Sequence, residues 1–597
     1  MFLSSVFFYA RHLAAMAVLA LALWGWGAVA LRSFVFASRA ESGALRLGAG
    51  AAVVATLVFA LGLFGLLLRP WLVGLVVCGV ILGVVAARPR GLPWARLLLA
   101  SCLVSPIMLQ AFYPPVDWDA TSYHLASAKL YLEAHRLVVA TYLRYPVFPQ
   151  LQEMLQALAL GIFDDLAAHG ITLAMWAGTG LALLALGRRV GSQGAGIVAL
   201  GLWIGSPTAL ALGTISYVDL PLTFYVTLAC LSWVIYEREK GARWAGLAGF
   251  FAGAAAATKY SGLFFVAALG LAVLASSPRG ARARPLALFA GFAALIAAPW
   301  YARNWILSGD PLFPFLGRVL PNRFWNAADL SWQLTDLARL GGRSLADFAL
   351  LWGRLAFNQG LFVGPEDVFS PAFWIPLPVL LIARWKSPLE RALLVLALAF
   401  TCVWFFGAQS GRYLLPALPL LCLGMGTTLK SVASAVLRQR VPAFVVAALL
   451  AVPGVWYALA RTQARGVPPT TAVARAAFIA RAYPSYPLYA WLAGAPGKDK
   501  RIHGWRDSPL AYYCPGTYVG DWFGRARYSR LDVALPSASA LRDSLDALGV
   551  AFLVVPWALG PIDLPVDSLA GHGIVLVHAD SGGRVFGIEG PRQAPSD

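Results

Sequence analysis

The residues equipped to do chemistry are few, and they gather at the ends of apolar runs. Residues 113–125 read Tyr-Pro-Pro-Val-Asp-Trp-Asp-Ala-Thr-Ser-Tyr-His-Leu, which puts Asp117, Asp119, Tyr123 and His124 within eight residues of one another. They come directly after a membrane-length apolar run, where an ionisable side chain is expensive to keep and is by default a functional one. The chemistry on offer is proton transfer. A carboxylate beside a hydroxyl can take its proton during an attack, and an imidazole can carry one. A plainer role competes for one of the carboxylates. Asp119 precedes a helix-like stretch, 120–133, where an Asp caps free backbone N–H groups and suits the helix dipole. That accounts for one carboxylate and not for two. His124 and His135 have a plain alternative as hydrogen-bonded anchors. Glu153, after Pro149 in Phe148-Pro-Gln-Leu-Gln-Glu, suits the first turn of a helix.

Four more charged residues lie far away in sequence but in equivalent places. Asp219 opens an apolar run in Ser216-Tyr-Val-Asp-Leu-Pro221, a pattern that N-capping with Pro in the first turn explains well. Lys259 (Thr258-Lys-Tyr-Ser-Gly262), Arg303 (Trp300-Tyr-Ala-Arg-Asn304) and Arg412 (Ser410-Gly-Arg-Tyr413) each fall at the end of a run. Snorkelling toward lipid head groups is their plain role. The alternative is convergence on a phosphate, which arginine grips through two donors and lysine meets as a point charge. Tyr413 and the neighbouring Trp300, Tyr301 and Trp305 read most simply as an aromatic belt.

The elements that must position these groups are membrane helices. The 597 residues are 59% hydrophobic and 13% charged, about half the charged fraction of a soluble chain. Runs near 20 residues match the hydrocarbon thickness of a bilayer. Spans are expected near 12–31, 44–67, 70–87, 96–113, 167–187, 190–212, 218–236, 243–257, 260–276, 285–302, 369–384, 390–407, 413–430 and 441–460. The net charge of +19 is spread over short loops rather than gathered in one patch. Positive charge in short loops marks the cytoplasmic side, so nucleic-acid binding is not expected. Alternating the spans then puts loops 113–166 and 303–368 and the C-terminal tail outside. No CxxC or Cys/His cluster appears, which points to neither a zinc site nor a disulfide framework.

Residues 462–597 differ in texture, with more Pro, Gly and charge and no spanning run. Leucines at 541, 545 and 548 predict a short amphipathic helix, and Val550–Val555 and Gly573–His578 predict buried strands. The expectation is an all-α polytopic membrane protein of about 14 transmembrane helices with a small C-terminal α/β domain facing the periplasm. Its parts are extra N-terminal helices over 1–95, a transmembrane catalytic region over 96–461 and the outer domain over 462–597.

Several segments resemble the GT-C class of integral-membrane glycosyltransferases, especially the bacterial branch similar to protein O-mannosyltransferases and aminoarabinose transferases. They are Asp119-Ala-Thr-Ser-Tyr-His-Leu, Tyr145-Pro-Val-Phe-Pro-Gln-Leu-Gln-Glu-Met-Leu, Thr258-Lys-Tyr-Ser-Gly-Leu, Pro299-Trp-Tyr-Ala-Arg-Asn-Trp with the later Gly-Asp-Pro-Leu-Phe-Pro, and Arg412-Tyr-Leu-Leu-Pro-Ala-Leu-Pro. Together they cover roughly residues 110–430, and five weak matches in order are more specific than any one. The resemblance implies a polyprenyl-phosphate-linked sugar as donor and an acidic residue of the first outer loop as base. Asp119 matches that position best and Asp117 second. Lys259, Arg303 and Arg412 match basic positions near the donor phosphate, with Tyr123, His124, Asp219 and Tyr413 as further substrate-binding candidates. It also implies inverting transfer, to a lipid, protein or glycan acceptor, on the outer face of the bacterial cytoplasmic membrane. Some of these enzymes use a divalent metal; the acidic loop has no cluster of ligands, and neither metal nor cofactor is expected. Two departures stand out: the N-terminal spans ahead of the acidic loop are additional, and the family's paired acidic residues are split by Trp118. Two other classes fit the spans: a flippase or transporter of lipid-linked sugars, whose polar groups would sit near the bilayer midplane, and a non-catalytic assembly protein whose outer domain binds glycan.

Overall fold

In the computed structural model the described residues are 2–87, 104–320, 322–338, 342–357, 387–436, 442–495, 500–524, 527–559 and 566–590. Among these, nine helices are long and apolar enough to cross a membrane, or ten when one bent pair is counted as a span. The expected run 369–384 and the first part of 96–113 lie outside the described residues. The run expected over 190–212 is the bent pair, Gln193–Ile204 and Pro207–Gly213, angled at 72°. The break is written in Gly205-Ser206-Pro207. Proline cannot continue a helix but starts one well, and the Ser206 hydroxyl accepts the Ala209 N–H at 3.3 Å as its cap.

The runs at 243–257 and 260–276 form the helices Ala242–Thr258 and Gly262–Ser276, joined by a tight turn at Lys259. A Cβ on Gly262 would come within 2.3 Å of the Ala255 carbonyl carbon, so only glycine lets the chain double back this closely. That turn sets Lys259 in extended backbone at the very end of its helix. Close approach also joins the first two helices, Phe2–Ala30 and Arg39–Leu63, where a Cβ on Gly50 would reach 1.6 Å from the Leu23 carbonyl oxygen.

At the opposite end of the bundle from the acidic loop, a charged clamp ties three helices. Arg189 donates from Nε and Nη2 to the two oxygens of Glu41 at 2.7 and 2.6 Å, and from Nη1 to Glu239 at 2.7 Å. These join the ends of Arg39–Leu63, Asp165–Arg189 and Asp219–Glu239. Glu41 is buried, so its charge depends on the fork.

The C-terminal domain carries a five-stranded sheet of β1 (Arg501–Gly504), β2 (Thr517–Val519), β3 (Val550–Pro556), β4 (Ile574–Asp580) and β5 (Gly583–Ile588), in the order β2-β1-β3-β5-β4. β1 runs parallel to β2 and β3, while β5 is antiparallel to β3 and β4. The amphipathic segment forms the helix Ala538–Ala547 and buries Leu541 and Leu545, as its leucine spacing predicts.

The moderately amphipathic stretch after Asp119, with Tyr123, Ala126 and Leu130 on one side, reads in sequence as a helix lying along the membrane surface, and the structure corrects this. The stretch after Asp119 is a π-helical turn, Ala120–His124, followed by the helix Leu125–Glu133. It does not lie exposed on a membrane surface. It is packed between the helix Leu151–Ile162 on one side and the C-terminal domain on the other, where Thr121 accepts the Tyr512 N–H at 2.9 Å and Lys129 donates to the carbonyls of Tyr512 and Cys514. The tail residues Tyr512, Tyr513, Tyr518, Trp522 and Phe523 read in sequence as a mixed polar and aromatic surface, but Tyr518 and Phe523 are buried and Trp522 is exposed.

Removing one partner of a buried ion pair leaves an uncompensated charge and costs about 3–5 kcal/mol. Arg189→Ala, which strands Glu41, is therefore expected to lose at least that much stability in mixed-micelle denaturation, and Arg189→Lys, which keeps the charge without the fork, less. Equal losses from the two variants would show that the fork geometry adds nothing.

Candidate active site

The acidic loop is short of local structure and holds itself by borrowing. The carbonyls of Pro115 and Val116 accept the hydroxyls of Tyr513 and Tyr483, both at 2.6 Å. The Asp119 N–H donates to the Tyr217 hydroxyl at 3.1 Å. Asp119 itself has helical backbone, and its side chain makes no capping bond. The carboxylate is thereby available, and it is spent on Arg412, whose Nη2 lies 2.7 Å from Asp119 Oδ2. Asp117 faces a different arginine, Arg461, at 3.8 Å.

A second pair forms beside the first. Asp219 is the first residue of its helix rather than a cap, and its Oδ1 accepts Lys259 Nζ at 2.7 Å. Tyr413 lies against both cations. Lys259 Nζ stands 3.8 Å from its ring centroid and the Arg412 guanidinium 5.1 Å, the latter also 4.9 Å from the Tyr217 ring. Aromatic faces at this range attract cations, so the ring spaces the two pairs and holds both.

One cavity of about 270 Å³ is lined by Asp119 of the first pair and by both members of the second, while Arg412 meets it only through its contacts with Asp119 and Tyr413. Asp119, Tyr123, His124, Asp219, Lys259 and Tyr413 all line it, with Tyr145, Phe148, Phe400 and Trp404 supplying apolar wall. His124 is buried, with its Nδ1 2.6 Å from Glu153 Oε1. Of the two, His124 lines the cavity, held by the carboxylate behind it.

Burial pushes the Asp119 carboxyl up, but Arg412, with smaller contributions from His124, Arg144 and a Tyr123 hydrogen bond, outweighs it and holds the group below the usual carboxylate range. Burial raises the Tyr123 hydroxyl well above its ordinary value, helped by the Asp119 charge, so it stays a neutral donor.

Arg303 is placed elsewhere. It is buried under the acidic loop, donating from Nη2 to the Val138 carbonyl at 3.3 Å, and it does not line the cavity. Among the described residues no group of three or more His, Cys, Asp or Glu side chains is arranged to hold a metal ion.

Tyr217, Tyr145 and Arg144 belong to the site's surroundings and were not singled out by sequence. Tyr217 stands two residues before Asp219 and Arg144 one before the Tyr145-Pro-Val-Phe-Pro segment. Proximity to motif residues was the only signal available, and it does not separate a partner from a neighbour.

Comparison with known proteins bears on the fold. Residues 146–302 match the family model of dolichyl-phosphate-mannose-protein mannosyltransferases, and residues 474–564 match one described as SF2091/S2213. Two relatives are uncharacterized proteins of Shigella flexneri. SF2093/S2215 is 46% identical over 57 residues, covering 10% of this chain and 29% of that protein. SF2092/S2214 is 30% identical over 132 residues, covering 22% of this chain and 65% of that protein. The chain therefore covers less than two thirds of either relative. Among solved structures, ArnT from Cupriavidus metallidurans bound to undecaprenyl phosphate superposes with a TM-score of 0.52 at 17% identity, over 84% of this chain and 99% of that one. At that identity the likeness is one of fold. The chain thus has the fold of ArnT, and its residues 146–302 are similar to the dolichyl-phosphate-mannose-protein mannosyltransferases.

Proposed function

We propose that the chain transfers a sugar from a polyprenyl-phosphate-linked donor to an acceptor hydroxyl or amine on a lipid, protein or glycan. The reaction takes place on the outer face of the bacterial cytoplasmic membrane, with Asp119 as general base. The observation that carries this reading is two carboxylate–cation contacts, Asp119–Arg412 and Lys259–Asp219, each at 2.7 Å, with Asp119, Asp219 and Lys259 on one cavity and Arg412 directly behind Asp119. Four segments far apart in sequence supply them. Structural ion pairs do not need a shared cavity; an anionic substrate does.

The two pairs suggest an order of events. In the free site Arg412 neutralises Asp119 and keeps its proton affinity low, which makes it a weak base. A donor phosphate competes for the same guanidinium, which grips phosphate and carboxylate by the same fork. As Arg412 turns to the phosphate, burial is left unopposed and the carboxylate becomes more basic. The acceptor oxygen then attacks the anomeric carbon while its proton passes to Asp119. The bond from that carbon to the phosphate oxygen breaks, and its electron pair stays on the phosphate beside Arg412 and Lys259. One displacement inverts the anomeric carbon. Asp117, turned to Arg461, is the less suitable base.

Two predictions test this. Asp119→Asn keeps the shape but not the proton acceptor, and is expected to lower kcat by about 10²–10⁴-fold while undecaprenyl phosphate still binds; full turnover would remove Asp119 as base. Arg412→Gln leaves the Asp119 carboxyl buried without its cation, so its pKa should rise. The acid limb of kcat/KM, expected below the usual carboxylate range in the wild type, should then move to higher pH in the variant. A limb that stays in place would mean that another group sets it.

A further inference from the structure

Arg144 touches both Trp118 of the acidic loop and Phe523 of the C-terminal domain without lining the cavity. Its guanidinium lies between two aromatic faces, 4.5 Å from the Trp118 centroid and 4.6 Å from that of Phe523. Trp118 stands between the two acidic residues of the loop, and Phe523 belongs to the segment after β2. Asp521 of that segment points its Oδ1 at Arg144 Nε from 4.0 Å. Nε is buried and has no hydrogen-bond partner in this state, so the pair stands just beyond closed contact.

From this placement we infer that Arg144 is a positioning residue through which Asp521 and Phe523 of the C-terminal domain set the place of Trp118 and hence of Asp119. This inference rests on the reading of Asp119 as base. The mechanical chain is short. Trp118 is the residue before Asp119, and the indole is pinned on one face by the guanidinium. Arg144 is sandwiched by Phe523, which stacks on Trp325 at 4.9 Å. Tyr145, next to Arg144, meets Tyr123 edge-on at 5.1 Å and lines the cavity. The domain thus reaches the site from two sides of one residue, without itself touching the cavity.

The charge environment makes this link titratable. Burial raises the Asp521 carboxyl to about 6, against the opposing pull of Arg144 and of the Trp522 and Phe523 N–H groups. The other groups facing this region are Tyr145 and Tyr123 from the loop, Tyr528, whose N–H donates to the Asp521 carbonyl at 2.8 Å, and Asp119 beyond Arg144. His503, beside Gly520, is held neutral by burial, which lowers its ring to about 3. Above pH 6 Asp521 is an anion that holds Arg144; below it the anion is lost and the guanidinium is held by stacking alone.

The test uses the full-length protein in micelles. Asp521→Asn and Arg144→Met are each expected to lower kcat by about 10- to 100-fold, the loss that follows a misplacement of about 1 Å, with donor KM nearly unchanged. Arg144→Lys should recover part of it. In the wild type a partial fall in kcat is expected below pH 6, and it should be missing in Asp521→Asn. Hydrogen exchange supplies a readout that needs no turnover: amides of 117–124 should exchange faster in Asp521→Asn than in the wild type, at unchanged undecaprenyl phosphate binding and unchanged overall Tm. Unchanged exchange in that segment, or a raised donor KM with kcat intact, would overturn the inference. Absence of sugar transfer by the wild type would instead remove the proposed function and leave the exchange result to stand alone.

Discussion

A carboxylate and a guanidinium 2.7 Å apart at the edge of a membrane bundle, Asp119 and Arg412, cannot be buried separately. Each would carry a desolvation cost of several kcal/mol that only the other, or a ligand of the same charge, can offset. This dependence fixes the residues around them. Ala120–His124 must come to the 3₁₀ turn Gly411–Ala417, nearly three hundred residues later. Tyr217 and Tyr413 must supply the faces on which the guanidinium rests. Lys259 and Asp219 repeat the arrangement one ring away. The site thus keeps its cations in place, each held by a carboxylate that, on the proposed function, the donor phosphate would displace.

Holding that loop requires a second layer. Polar backbone that is buried must find partners, and residues 114–117, which have no regular structure, cannot provide them. The C-terminal domain does so, with the hydroxyls of Tyr483 and Tyr513 and the Tyr512 N–H reaching loop carbonyls. Tyr512 and Arg475 also bind Asp165, at the start of a spanning helix. The domain is therefore part of the wall of the transmembrane region, which is why its aromatic side chains turn inward.

The periodic signals in the sequence carried the helices, the amphipathic segment at 538–547 and the buried strand Val550–Pro556, because burial of apolar surface repeats at fixed spacing; the strand expected as buried at 573–578 forms as Ile574–Asp580 but lies at the sheet edge with Leu576 and Val577 exposed. Pairing has no such period. Arg303 and Arg412 look alike in sequence, each a cation at the end of an apolar run beside aromatics, yet one donates to the Val138 carbonyl and the other meets Asp119. The difference lies in which way each helix end faces, and that is decided by distant packing. Asp119 satisfied every local condition for a cap, and the structure uses its side chain for a tertiary partner instead. Trp118 read as an interruption of an acidic pair; its indole face is what Arg144 rests on.

The charge balance of the site argues for a transfer in which proton and phosphate exchange roles. With Asp119, Asp219, Arg412 and Lys259 all ionised, the four groups sum to zero, and a phosphodiester donor adds one negative charge. When the proposed displacement occurs, the departing phosphate gains a further negative charge while Asp119, accepting the acceptor's proton, loses its own. The total inside the cavity does not change. In a partly apolar cavity lined by Phe148, Phe400 and Trp404, where Coulomb terms are large, a reaction that shifts charge from one buried group to its neighbour is favoured over one that creates it. In the proposed displacement Arg412 would serve whichever of the two holds the charge. The guanidinium that makes Asp119 a weak base before substrate arrives would then be the one that receives the leaving group.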